Sequence, residues 1–240
     1  LQEIENCFIH IANEIIKRQN LIIVCPDQDL LKEKISIDNT SYRLLLVKAQ
    51  SNDTWARDHG GISVNINGRK TVYDFTFNGW GLKFPANYDN LITRNLYKQH
   101  FFQKDIDLIN MKNFVLEGGS IETYGKGTLL TTNECLLSPN RNSFLSKEEI
   151  EGYLKETFGL TRVLWLNHGF LRGDDTDSHI DTLARFCDEN TIAYVKTEDK
   201  EDEHYEALQN MEKELMTFTD SEGNPYKLIP LPLPDKIEFK

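Results

Sequence analysis

The chain has 240 residues, 39% of them hydrophobic and 27% charged, which suits a globular protein able to bury a sizeable core. It carries 27 basic and 38 acidic side chains, a formal charge of −11. That balance argues against nucleic acid as a partner, because phosphate contacts need a basic surface, and it favours small cations or cationic peptide segments. No stretch approaches the roughly 18 apolar residues of a membrane span. No signal peptide is visible, so a cytoplasmic protein without a membrane partner is the expectation.

Elements follow from periodicity. Ile4, Phe8, Ile11, Ile15 and Ile16 recur at helical spacing, and "LIIVCP" then reads as a short buried strand. "DQDLLKEKI" predicts a helix opened by Asp27 or Asp29, followed by the strand "YRLLLVKA". "GISVNINGRKTVYDFTF" alternates around Asn67-Gly68, a hairpin signal. "IDLIN" and "FVL" predict two short strands, and "SIETYGKGTLLTT" a second hairpin turning at Gly125 to Gly127. A helix over "SKEEIEGYLKETFG" has a capping box from Ser146 and Glu149. "TRVLWLN", "TIAYV" and "YKLIPL" read as strands, and "EHYEALQNMEKELMTF" as a helix. The hairpins exclude a purely parallel sheet, and the loose recurrence fits a repeated ββαβ unit in one α/β domain over residues 1–240.

The four cysteines, Cys7, Cys25, Cys135 and Cys187, form no CxxC pair. That spacing suggests neither a zinc ribbon nor a disulfide framework, and each is expected as a small buried residue.

Three segments carry more polarity than packing requires. In "NDTWARDHGG" an indole and a carboxylate, Trp55 and Asp58, suit a planar cation, although a buried Trp beside a turn Asp reads equally well. In "FVLEGGSIE" Glu117 ends a strand before Gly118-Gly119, which permit close backbone approach. The alternative is a glycine bulge with an exposed Glu. In "GDDTDSHIDTL" His179 and Asp181 share parity, and on a strand both would face one side, with Ile180 and Leu183 mainly on the packed side, although Thr182 breaks the pattern. That pair can bind a metal, act as an acid–base couple, or belong to a solvated loop.

Taken together, "TWARDHGGI", "DFTFNGWGLKFP", "FVLEGGSIETYGKGTLLTTNECLLSPNRN" and "DDTDSHIDTLARF" resemble the agmatine deiminase and bacterial-type peptidylarginine deiminase family, within the guanidine-modifying superfamily. The resemblance implies a five-bladed α/β propeller of ββαβ units. It implies hydrolysis of a guanidinium to a ureido group and ammonia, with agmatine giving N-carbamoylputrescine. Peptidyl-arginine or another guanidine is the alternative substrate. Asp58 and Asp181 would hold the guanidinium nitrogens, His179 would be the general acid–base, and Trp55 would flank the substrate. Glu117 would contact the substrate or orient the site, and Asp175 and Asp177 would shape the loop before His179 and contribute to substrate binding. No metal or organic cofactor is implied.

The family's nucleophile is a thiolate in a Gly-rich segment ending in His-Cys, which residues 1–240 do not contain. Cys187, if a strand ran on from His179, would lie about 26 Å along it, and Cys135 in "TTNECLL" reads as core. The chain is therefore expected to be a fragment, trimmed at its C-terminus and at its start. It would be inactive alone, with the fold completed by a missing segment or a homo-oligomer. Smaller departures are Gly61, Ser120 and Ser178, the last able to narrow the approach to His179. Two competing readings remain: a catalytically dead guanidinium-binding module, and a metal-dependent hydrolase using His179, Asp181, Asp177 and Glu117.

Overall fold

The computed structural model describes residues 2–35 and 41–236. Helix α1 (Gln2–Ile16), strand β1 (Leu21–Cys25), helix α2 (Gln28–Lys32) and strand β2 (Leu44–Lys48) come first. The Asp27 carboxylate accepts from the backbone N–H of Asp29 and Leu30, so Asp27 is the residue that opens α2. β1 and β2 pair in parallel, which requires the crossover that α2 lies on.

Three sheets of one plan follow. A single turn, α3 (Ala56–His59), enters β3 (Ile62–Ile66), and a hairpin through Asn67 and Gly68 leads to β4 (Arg69–Thr76). Both hairpin residues have positive φ, 50° and 83°, as a two-residue turn matched to strand twist requires. The turn α4 (Gly79–Leu82) and helix α5 (Asp89–Lys98) then cross to β5 (Asp107–Val115), parallel to β4. The two strands expected over residues 106–116 are one. Its pairing with β4 shifts register at Phe75/Thr76, and that irregularity breaks the sequence alternation.

The second sheet is entered by a 3-10 turn (Gly118–Ser120). It contains β6 (Glu122–Thr123), β7 (Thr128–Thr132), α6 (Asn133–Leu136), α7 (Lys147–Phe158) and β8 (Arg162–Leu166). The capping box of α7 is present in full, and Gly159 closes the helix at φ 65°. The third sheet is entered by α8 (Ile180–Leu183) and contains β9 (Ala184–Phe186), β10 (Thr191–Lys196), α9 (Tyr205–Leu215) and β11 (Lys227–Pro232).

In every one of these sheets the first strand is antiparallel to the second and the third is parallel to it. This is the ββαβ unit three times over, after the βαβ unit of β1 and β2. The fold is the α/β propeller type implied by the sequence, with four units among the described residues. Apolar residues fill the space between successive sheets. One cluster joins Phe75, Phe114, Leu129 and Leu136 to Ile150 and Leu154 of α7. The next joins Leu166, Ile180, Leu183 and Ile192 to Leu208 and Met211 of α9.

One burial expectation is corrected. Cys25 and Cys135 are buried, but Cys7 and Cys187 are exposed. Helix α1 has the expected period, yet it buries only Ala12 and Ile16, and Ile4, Phe8 and Ile11 remain exposed. No helix among the described residues is long and apolar enough to cross a membrane.

Candidate active site

Each ββαβ unit is entered through a short helical turn, and the residues singled out in the sequence lie in or beside these turns. Asp58 is in α3, Glu117 immediately precedes the 3-10 turn, His179 immediately precedes α8, and Asp181 is within it. The 3-10 turn packs against both α3 and α8. The repeated topology therefore brings to one place segments that are far apart along the chain.

Gly119 lies at the meeting point. A methyl group placed on it would stand 2.5 Å from His179 Nδ1, 2.6 Å from Asp58 Oδ1 and 2.9 Å from Asp181 Oδ2. Gly118 is equally tight, with a Cβ only 2.1 Å from the Arg57 carbonyl oxygen. Close backbone approach explains this glycine pair. Ser120 donates its hydroxyl to the Glu117 carbonyl and holds the turn.

Asp58 is buried, and both its oxygens are held. Gly119 N donates to Oδ1 at 3.0 Å and Trp80 Nε1 donates to Oδ2 at 3.1 Å. His179 Nδ1 lies 3.5 Å from Oδ1. Trp80 reaches this position because Gly79, Trp80, Gly81 and Leu82 all have positive φ, so the backbone turns left-handed through "NGWGL". The sequence carries a signal for this, a Trp between two glycines, but nothing local ties it to Asp58. His179 is buried, and its Nε2 has no hydrogen-bond partner.

The strand expected at His179–Asp181 is corrected. Residues 180–183 form one helical turn, with His179 extended just before it at φ −52° and ψ 135°. Both side chains nevertheless meet Gly119, because the two residues have different backbone conformations. Ile180 and Leu183 do pack inward, as expected. Burial raises the Asp181 carboxyl above its ordinary value, the Asp58 charge adds to the rise, and His179 acts in the opposite direction. A pair of carboxylates in one partly dry site is stabilised by a cation between them.

These groups line a cavity of about 440 Å³ with Trp55, Arg57, Trp80, Phe84 and Thr182. Trp55 is 60% exposed and forms part of the rim with Phe84, so it is not a buried core indole. Asp175 is exposed on the wall. Asp174 is half-buried. It caps the loop, accepting from the N–H and hydroxyl of Thr176 and from the N–H of Ser178. Ser178 does not narrow the approach to His179: its hydroxyl donates to Glu134 Oε2 at 2.9 Å and it is not a lining residue. His168 is at the surface beside Glu214.

Glu117 and Asp177 are behind this wall, not among the lining residues. Glu117 is fully buried, so the exposed-Glu alternative does not hold. Arg141 Nε lies 3.0 Å from both Glu117 oxygens, while its Nη1 donates to Asp177 Oδ2 at 2.6 Å. Lys83 takes the other oxygen of Asp177. Burial opposes the Arg141 charge, but its acidic neighbours overcome that cost and hold it above its ordinary value. In the sequence Arg141 stands in "SPNRN" with no evident role, and only its buried position reveals one.

A metal cluster of His179, Asp181, Asp177 and Glu117 is not assembled. Among the described residues, the ligand atoms that come within 4.8 Å of one another belong to Glu117, Cys135 and His179. Arg141 already neutralises Glu117, and burial pushes the Cys135 thiol well above its ordinary value, with Glu117 adding to the shift. A buried thiol beside a paired carboxylate is a poor cation site. A larger cavity of about 580 Å³ lies between α1, β1 and the first sheet, but its walls are mostly apolar.

The repeated ββαβ fold thus places two carboxylates and a histidine around one glycine. Residues 1–240 match the Porphyromonas-type peptidyl-arginine deiminase family, and the chain belongs to it. It is 33% identical over 236 residues to an agmatine deiminase from Stutzerimonas stutzeri, covering 96% of this chain and 62% of that protein. A Porphyromonas gingivalis crystal structure, provisionally assigned as an arginine deiminase, superposes with a TM-score of 0.96 at 51% identity, covering 99% of this chain and 70% of that one. A cysteine-to-serine variant of C. jejuni agmatine deiminase with substrate bound superposes at 0.88 and 40% identity, covering 100% and 68%. The chain thus spans about three fifths of the length of the Stutzerimonas protein.

Proposed function

We propose that the cavity takes a planar guanidinium cation and belongs to an enzyme that hydrolyses it, with agmatine the first substrate and N-carbamoylputrescine and ammonia the products. The observation that carries this is the meeting of Asp58, Asp181 and His179 around Gly119. A guanidinium stays charged at neutral pH and offers N–H pairs on separate edges, one for each carboxylate. Trp55 and Phe84 at the rim can stack on the flat cation or its alkyl chain. Asp175 adds negative charge to the wall, whereas Asp177 serves through the loop it holds.

The reaction needs a nucleophile. A thiolate attacks the guanidinium carbon, a C–N bond breaks, and His179 gives the leaving amine its proton. His179 then takes a proton from water, whose oxygen displaces sulfur and leaves the ureido product. None of the four cysteines supports this role. Cys135 and Cys25 are buried with raised thiols, and Cys7 and Cys187 do not line the cavity. The reading is therefore that the thiolate comes from outside residues 1–240 and that this chain alone is inactive. A segment outside these residues, or a second copy, would cover the apolar groove along α1.

Ammonia release from agmatine, arginine and a peptidyl-arginine tests this, with the 240-residue chain and the product of the intact gene assayed side by side. Release only by the latter, fastest with agmatine, is expected. Turnover by the 240-residue chain would overturn the proposed source of the thiolate. Agmatine binding without turnover by the intact product would favour a binding module.

A further inference from the structure

We propose that Arg141 is a positioning residue: its buried guanidinium joins Glu117 to the Thr176–Asp177 loop and thereby sets the place of His179 in the cavity. The link to agmatine rests on the function proposed above, whereas the link to His179 rests on geometry alone.

The side chains of Arg141 and Glu117 are both 0% exposed. Each nitrogen of the guanidinium has a separate partner. Nε faces both Glu117 oxygens, Nη1 meets Asp177 Oδ2, and Nη2 meets the Thr176 carbonyl at 2.9 Å. A planar fork can serve three separated acceptors, but a lysine ammonium is a point donor. The backbone around Arg141 is itself fixed. Its N–H donates to the Ser138 carbonyl, and neighbouring Asn142 exchanges two hydrogen bonds with the Val115 backbone at the end of β5.

The loop needs such a hold. Asp177 and Ser178 are successive non-glycine residues at φ 64° and 59°, a conformation that persists only when its surroundings over-determine it. Arg141, Lys83 and Asp174 supply the bonds. His179 is the next residue, and its N–H donates to Thr176 Oγ1 at 3.1 Å. The loop bound by Arg141 thus delivers His179 to Gly119. A buried ion pair is weak grounds for a stabilising role, since apolar replacements of such pairs are often neutral, so positioning is the more informative assignment.

The test uses Arg141→Met, Arg141→Lys and Asp177→Asn in the 240-residue chain, with circular dichroism to confirm folding. Amide hydrogen exchange at Ser178 and His179 is read against that of α7, and agmatine affinity is measured by calorimetry. In Arg141→Met both amides should exchange at least about tenfold faster while α7 stays protected, and agmatine affinity should fall about tenfold or more. Arg141→Lys should show a smaller loss of both. Asp177→Asn cuts the loop arm and leaves the Glu117 pair, so it should speed the same amides even if Arg141→Met fails to fold. Unchanged exchange at Ser178 and His179 in the folded variants, or a melting shift with agmatine affinity within about twofold of the parent, would overturn the proposal. If the parent chain binds no agmatine, the guanidine reading fails, and the exchange data still decide the positioning role.

Discussion

One short segment, residues 53–60, borders two cavities of opposite character. Trp55, Arg57 and Asp58 face the smaller one, with its acids and histidine, while Thr54, Ala56, His59 and Gly60 face the larger apolar groove. The groove is bigger and mostly apolar, although Glu5, Asp53 and His59 also line it. At the smaller cavity Trp80 and Gly119 hold Asp58, and behind it Arg141 holds Glu117, so the protein's own hydrogen bonds fix the geometry. Along the groove, Phe8 and Ile11 of α1 are each 49% exposed. On the function proposed above, preorganised polar contacts rather than volume mark the site.

The sharpest way to break this comparison is at Gly119. Gly119→Ala should abolish calorimetric agmatine binding, because the methyl would occupy the space between Asp58, His179 and Asp181. The clash should also cost about 1–3 kcal/mol of stability in urea unfolding. A Gly119→Ala chain that bound agmatine normally would show that the three groups do not form one pocket.

Packing gives the next contrast. Phe114 is 2% exposed and stacks on Tyr153 with ring centroids 4.2 Å apart, so Phe114→Ala should cost about 3–5 kcal/mol. Phe8→Ala should cost no more than about 1 kcal/mol in the same 240-residue chain, since half its surface already meets solvent. Equal losses in urea titrations would mean that the groove is covered in solution.

Asp181 tests whether the site trades stability for charge. Its folded carboxyl is raised above the ordinary value of 3.8, so its contribution is fully present below that pH and is lost as pH rises through the folded value. Asp181→Asn should therefore raise the melting temperature at neutral pH, and the gain should fade in acid below about pH 4. The same change should weaken agmatine binding. A lower melting temperature at neutral pH would show that the Asp181 charge is already satisfied.

The smallest effect is expected at Ser178. Glycine there would relieve the left-handed backbone by about 1 kcal/mol, yet it would forfeit the hydroxyl bond to Glu134. A melting shift close to zero is the expected balance. A large loss would mean that the Glu134 contact dominates the loop.

Much of this was legible in one dimension. Element types were readable wherever a period persisted, as in α7 with its capping box or the Asn67-Gly68 hairpin. The candidate site residues stood out because acids, glycines and a histidine occurred together where packing had no evident use for them. What misled was local inference across a change of backbone. Parity placed His179 and Asp181 on a strand, but the chain turns helical at Ile180. Alternation split residues 106–116 in two, but a shift in strand pairing spans the gap.

By itself, the sequence determined the repeated ββαβ plan, the caps and hairpins, and the identity of Asp58, Glu117, His179 and Asp181 as unusual residues, because these depend on neighbours within a few positions. Only the tertiary structure decided that Trp80 holds Asp58 and that Arg141 holds both Glu117 and Asp177. Those roles belong to pairs separated by 22, 24 and 36 positions. Bonds of that range exist only after the entry turns of three sheets have packed around one glycine.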